Sequence, residues 1–318
     1  MEKQKRTIGK LRGLQQCTSP HGTFTCLALD HRQNLRKANP AFVDNANLSS
    51  FKLDVTATLA DLSTAVLLDP EVSAAQAIAE GALPGKSAFV VAVESTGYGG
   101  TSAARQSQIL PGWTVEKAKR MGASMIKLLV YYHPDSPTAR EMEAFVQQVA
   151  AECTHYDLGI MLEPLSYSLD IAKKLSSIEK RYVVTESARR LVNPAIDVLK
   201  AEFPLDIADD PDENTWFEAC AGVSAASSAP WIVLSAAVNY DIYLRQVKIA
   251  CRAGASGGAV GRAVWQEAID MDRQPRLDFL RSTGRDRLSH LTALCSEVGK
   301  PISDFYTAEA PFDWYGNY

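Results

Sequence analysis

Eightfold alternation of two kinds of segment constrains this chain more than any other feature. Eight short apolar runs rich in β-branched residues are each of strand length: Thr23–Asp30, Thr64–Pro70, Ala88–Ser95, Met125–His133, Leu158–Tyr167, Ile196–Pro204, Trp231–Ala237 and Ser256–Trp265. Between them lie stretches with helical periodicity, among them Thr114–Gly122, Ala139–Cys153 and Tyr240–Gly254. Near-continuous apolar strands are buried on both faces, and helix-length crossovers join parallel neighbours. Eight such units predict an α/β fold of the closed (β/α)8 TIM-barrel type, with an open doubly wound sheet as the alternative.

No Pro/Gly/Ser-rich linker or compositional break divides the chain, so residues 1–318 read as a single barrel domain. Residues 1–20 form an N-terminal capping segment, in which Ile8, Leu11 and Leu14 suit a short helix closing the barrel floor. Residues 299–318 hold an aromatic tail, FYTAEAPFDWYGNY, expected to pack against the surface or a neighbouring subunit, which makes a homo-oligomer the expected assembly.

Charge and composition exclude several function classes. With 33 Lys+Arg against 37 Asp+Glu there is no basic surplus to drive nucleic-acid binding. No apolar run reaches the ~18 residues needed to span a bilayer, and the first residues lack a leader's apolar stretch, so a cytoplasmic protein without a membrane partner is expected. The six cysteines are scattered without a CxxC pair and read as buried free thiols. The five histidines show no metal-ligand spacing, so no metal is expected. Gly254-Ala255-Ser256-Gly257-Gly258 matches GxSxG but precedes a strand, where a nucleophile elbow must follow one. Gly81-Ala82-Leu83-Pro84-Gly85-Lys86 is too short for a P-loop and has proline where donors are required.

In a barrel of this kind, chemistry sits at the C-terminal ends of the strands. The polar residues there are Asp30 and His31 after the first run, Asp69, Glu94, Lys127, Glu163, Lys200 and Ser235 on the second to seventh, and Arg262 on the eighth. Lys and Glu are rarely wholly buried unless paired, so Lys127, Lys200 and Glu163 in apolar strands demand mutual partners or a wet cavity. Two lysines in one barrel mouth would repel each other, and repulsion and desolvation each lower a lysine pKa. A neutral lysine can attack a carbonyl to give a Schiff base whose nitrogen stabilises a neighbouring carbanion, the chemistry of aldol cleavage. Glu163 is the natural proton carrier. The alternative is a structural ion pair, Lys200 with Glu202 or Asp197. Ser235, the glycines Gly257, Gly258 and Gly261, and Arg262 suit a phosphate, since loops after strands seven and eight often bind one; tight packing is the other explanation for the glycines.

The segments LALDHRQNL, AVLLDPE, VESTGYGGTS, AKRMGASMIKLLVYYHPDS, IMLEPLSY, DVLKAEFPLD, WIVLSAAV and GASGGAVGRAVW resemble, in order, the class I tagatose-1,6-bisphosphate aldolases and the related sulfofructose-phosphate aldolases. The resemblance implies a barrel lyase without metal or cofactor, acting on a phosphosugar. It further implies Lys200 as the Schiff-base lysine, Lys127 as its supporting lysine, Glu163 as acid/base, Asp30 at the sugar hydroxyls, and Ser235 and Arg262 at the phosphate of the dihydroxyacetone-phosphate half. His31, Arg32 and Glu94 complete the expected substrate-binding set. Where these relatives usually carry Asp-Gln-Arg this chain has Asp30-His31-Arg32, which alters a donor beside the substrate. The expected reaction is cleavage of a ketose 1,6-bisphosphate such as tagatose 1,6-bisphosphate to dihydroxyacetone phosphate and glyceraldehyde 3-phosphate. Alternatives are a sulfofructose-phosphate aldolase, a phosphosugar isomerase, and a non-catalytic sugar-phosphate-sensing regulator.

Overall fold

In the computed structural model, which describes residues 2–316 and 318, each apolar run contains a strand. In chain order these are β1 (Phe24–Ala28), β2 (Ala65–Leu68), β3 (Ala88–Ala92), β4 (Met125–Tyr131), β5 (Gly159–Leu165), β6 (Val198–Ala201), β7 (Trp231–Leu234) and β8 (Gly257–Val260). All are parallel, and β8 returns to pair with β1, so the sheet closes into the expected barrel and not an open sheet.

Strand alternation explains why the runs are apolar throughout. Leu27, Val66, Val91, Ile126, Ile160, Leu199 and Val233 face the outer helices, whereas Phe24, Cys26, Leu67, Val90, Met125, Met161, Val198 and Ile232 fill the interior. Each such side chain contributes roughly 1.5–3 kcal/mol when taken from water. Gly257 has φ +137°, and a Cβ there would lie 1.9 Å from the carbonyl oxygen of Phe24, so only glycine lets β8 approach β1.

The floor is closed as the N-terminal spacing predicts. The helix Ile8–Gln16, capped by the Thr7 side chain, carries Leu14 into the interior cluster beside Cys17, Ile302, Phe305 and Tyr306. Gln4–Lys5 pairs in parallel with Tyr306–Thr307, so both ends of the chain lie under the barrel. The aromatic tail divides in two. Phe305 and Tyr306 are buried in the floor, while Phe312 and Tyr315 are exposed. All six cysteines are free and buried.

Four residues read as strand residues lie past the strand ends: Asp69 and Ser235 directly follow Leu68 and Leu234, and Glu94 and Arg262 lie further out. The eighth run overshoots: β8 stops at Val260, and Arg262 is the first residue of a short helix, Arg262–Trp265, in place of a strand residue. Glu94 lies beyond the end of β3, in an isolated bridge with Ile109. In each case a polar residue marks where the chain leaves the sheet at the mouth. No helix among the described residues is long and apolar enough to cross a membrane.

Candidate active site

The inward series Met125, Met161 and Val198 forms a layer of the apolar interior. Two residues further along each strand, and so on the same face one layer nearer the mouth, stand Lys127, Glu163 and Lys200. The three side chains meet. Oε2 of Glu163 lies 2.9 Å from Nζ of Lys127 and 3.0 Å from Nζ of Lys200. Lys127 also contacts Asp30 Oδ2 at 2.8 Å and Glu94 Oε1 at 2.6 Å, so three carboxylates surround one ammonium. Glu94 is fixed by its second oxygen, which accepts from the Leu129 N–H at 3.1 Å.

The electrostatics follow from this cage. Burial alone would lower the Lys127 pKa, but the charges of Asp30, Glu163 and Glu94 outweigh it and hold the amine well above its ordinary value. The expected lowering by lysine–lysine repulsion is therefore reversed at Lys127. Burial would raise both acids, yet Lys127 and then Lys200 pull Glu163 below the usual carboxylate range and Asp30 well below it. The alternative partners for Lys200 are engaged elsewhere. Glu202 accepts from the Ser166 N–H at 2.6 Å, and Asp197 is bound at the floor by Arg6 and Lys10.

Above the cage opens a cavity of about 690 Å³, lined by Asp30, His31, Arg32, Glu94, Lys127, Glu163, Lys200, Ser235 and Arg262; Asp69, the other polar residue read at a strand end, is not among them and is fully buried in an ion pair with Lys52. Arg32 reaches it with each terminal nitrogen making one contact, an ion pair to Glu71 and a 2.9 Å bond to the Glu94 carbonyl, so it braces the wall. His31 packs edge-on against Trp265 with ring centroids 5.5 Å apart. Its Nδ1 is buried 4.0 Å from Asp30 Oδ1 and has no hydrogen-bond partner among the described residues, and burial, opposed by Asp30 but reinforced by Arg262, pushes its pKa down to about 4. A neighbouring cavity of about 670 Å³ shares Arg262 and Asn34 but has neither lysine.

On the far side of the mouth, Ser235 Oγ accepts from the Gly261 N–H at 3.4 Å, tying the turn after β7 to the turn after β8. Ala236 and Ala237 follow with φ +41° and +62°, a left-handed pair that costs roughly 1–2 kcal/mol per residue. Such strain collects at binding turns. Among the described residues the buried Nε of Arg262 has no hydrogen-bond partner and no carboxylate pairs with its guanidinium. Gly257 and Gly258 do not join this turn; both sit inside β8, where side chains would strike the Phe24 backbone and the Tyr243 hydroxyl, so packing accounts for them.

Sequence reasoning missed Tyr131, Tyr98 and Glu202, which also line the cavity. Tyr131 and Glu202 continue the inward series two residues at a time, from Lys127 through Leu129 and from Lys200, so the alternation could have found them. Tyr98 comes from the irregular crossover after β3, where no period points to it. Among the described residues no group of three or more His, Cys, Asp or Glu side chains is placed to hold a metal. The carboxylates that do converge already enclose the Lys127 ammonium.

Comparison with known proteins places the molecule among the aldolases, lyases that make and break carbon–carbon bonds. Residues 24–267 match the DeoC/LacD family aldolase, and the chain belongs to that family. It is 29% identical over 311 residues to tagatose 1,6-diphosphate aldolase 2 of Enterococcus faecalis, covering 90% of this chain and 93% of the relative. It is 27% identical over 325 residues to the tagatose 1,6-diphosphate aldolase of Lactococcus lactis, covering 94% and 98%. Among solved structures, an archaeal fructose 1,6-bisphosphate aldolase superposes with TM-score 0.62 at 19% identity, over 91% of this chain and 99% of that one. The Plasmodium falciparum fructose-bisphosphate aldolase gives TM-score 0.68 at 13% identity, over 94% and 98%. At these identities the structures speak to the barrel alone.

Proposed function

We propose that this aldolase is a class I, Schiff-base enzyme that reversibly cleaves a ketose 1,6-bisphosphate, tagatose 1,6-bisphosphate being the first candidate, to dihydroxyacetone phosphate and glyceraldehyde 3-phosphate. The observation that carries the reading is one carboxylate oxygen, Oε2 of Glu163, between the amines of Lys127 and Lys200 at the base of the cavity. The names of the Enterococcus and Lactococcus relatives support the choice of substrate.

In this mechanism Lys200 Nζ, having passed its proton to Glu163, adds to the ketone carbon. Glu163 returns a proton to the carbinolamine hydroxyl, water leaves, and a positively charged iminium remains. The iminium nitrogen draws in the electron pair of the C3–C4 bond as a carboxylate removes the C4 hydroxyl proton, and the aldehyde departs. Protonation of the resulting enamine at C3 and addition of water release dihydroxyacetone phosphate and restore the lysine. Lys127, held charged by its three carboxylates, supplies fixed positive charge to oxygens that become negative during these steps. Arg262, Ser235 and the left-handed turn after it hold the phosphate of the dihydroxyacetone half.

Borohydride added with dihydroxyacetone phosphate should leave a stable adduct on the peptide containing Lys200, and an unmodified peptide would defeat the mechanism. Released dihydroxyacetone phosphate, measured over a panel of ketose phosphates, identifies the substrate; an isomerase would release none. The six buried free thiols support a cytoplasmic location. The exposed Phe312 and Tyr315 support the homo-oligomer, which sedimentation would test.

A further inference from the structure

We propose that Arg105, with Tyr98 and Tyr131, receives the anionic group at the end of the substrate remote from Arg262. The inference rests on the ketose-bisphosphate reading and adds the receptor for the second charge.

Barrel order supplies the direction. Arg262 follows β8, Lys200 stands on β6, and Tyr131 ends β4; around the closed sheet β4 and β8 are opposite, with β6 midway. A sugar with one phosphate at Arg262 and its ketone at Lys200 therefore extends toward the β4 wall. That wall is Tyr98 and Tyr131, both lining the cavity with ring centroids 5.1 Å apart. Neither hydroxyl has a hydrogen-bond partner among the described residues.

Arg105 stands behind these rings, its guanidinium carbon 4.4 Å from the Tyr98 centroid, 5.3 Å from that of Tyr131 and 4.5 Å from that of Tyr167. Its Nε donates to the Ser102 carbonyl at 3.0 Å, and among the described residues no carboxylate pairs with it. Arg6, Arg32, Arg276, Arg285 and Arg287 are each ion-paired. A half-buried guanidinium held on aromatic faces without a counter-charge keeps its fork of donors for an incoming oxyanion.

Its position is built. Arg105 belongs to the two-stranded hairpin Gly99–Thr101 and Ala104–Gln106, which lies in the crossover between β3 and β4. Thr138 Oγ1 donates to the Arg105 carbonyl at 3.0 Å, and Gln106 Nε2 donates to Glu141 at 2.8 Å. Phosphate and sulfonate offer this fork the same tetrahedral oxyanion, and the choice of acceptor distinguishes them.

The test is run in the condensation direction, with dihydroxyacetone phosphate and one of three acceptors: glyceraldehyde 3-phosphate, its 3-sulfonate analogue, or uncharged glyceraldehyde. The wild-type enzyme should favour a charged acceptor, and the one preferred names the group. In Arg105→Met the ratio of KM for that acceptor to KM for glyceraldehyde should rise about 10- to 100-fold, the worth of hydrogen bonds to a charged group. Arg105→Lys should recover part of it. If Arg105→Met does not fold, Tyr98→Phe should move the same ratio in the same direction by less. An unchanged ratio, or a wild-type enzyme indifferent to acceptor charge, overturns the proposal. Borohydride trapping with dihydroxyacetone phosphate alone separates the two readings. An adduct without charge preference defeats only the receptor, whereas no adduct defeats the Schiff-base mechanism and the receptor with it.

Discussion

The barrel holds a buried acid–base cluster at each end, and the two are chemically alike but differently finished. At the floor, Asp197 is fully buried and each oxygen is engaged: Oδ1 with Arg6 at 2.7 Å, Oδ2 with Lys10 at 2.9 Å and with the Ile160 N–H at 3.0 Å. Its carbonyl accepts from the Tyr306 hydroxyl at 2.8 Å, so the cluster ties both chain ends to β6. At the mouth, Glu163 faces a cavity and, among the described residues, its carboxylate pairs only with the amines of Lys127 and Lys200. A sealed carboxylate with a cation at each oxygen holds chain segments together. One beside open space has capacity left for a reacting molecule.

Substitutions at the two ends should separate stability from turnover. The largest effect is expected from Lys200→Met, which should lower turnover at least about 10⁴-fold and abolish the borohydride adduct, with little change in the unfolding midpoint. Glu163→Gln keeps the shape and removes the proton carrier; turnover should fall about 10²- to 10⁴-fold, read as kcat under saturating substrate. Asp197→Ala should do the reverse. Leaving Arg6 and Lys10 without their counter-charge costs about 3–5 kcal/mol in denaturant unfolding, while kcat per folded molecule stays near the wild-type value at low temperature. Should Asp197→Ala cost turnover and not stability, the contrast between the two ends fails.

The smallest effect concerns pH. The unfolded His31 imidazole takes a proton below its ordinary value of 6.5, while the folded one resists until about 4. The unfolded state therefore binds more protons in that window, and stability is lost as pH falls through it, by on the order of 2–3 kcal/mol. His31→Gln should lose less stability than the wild type between pH 7 and pH 4.5 when both are unfolded in urea. Equal losses would show that the mouth tolerates a charged imidazole.

Much of the fold and the centre of the site were legible because both rest on period two. Eight apolar runs mark the strands, and counting two residues on from Met125, Met161 and Val198 reaches Lys127, Glu163 and Lys200. What period two leaves out is convergence. The cage that reverses the Lys127 shift draws carboxylates from the ends of β1, β3 and β5, and only closure of the barrel brings them within reach of one nitrogen. The left-handed turn at Ala236 and Ala237 carries no glycine to announce it. Arg105 sits in a crossover hairpin whose place behind the Tyr98 and Tyr131 rings depends on partners such as Thr138 and Glu141, more than thirty residues away. The floor contact between Gln4–Lys5 and Tyr306–Thr307 joins opposite ends of the chain and has no local signature.

The single oxygen shared by two amines also bears on how little the site must rearrange during turnover. In the proposed mechanism the iminium puts a positive charge on Lys200 Nζ, and the Glu163 oxygen that balances it already lies 3.0 Å from that nitrogen before any sugar arrives. Dipoles that need not reorient add nothing to the barrier. A barrel wall, stiff because every strand has two neighbours, is well suited to keeping that arrangement constant from one cycle to the next.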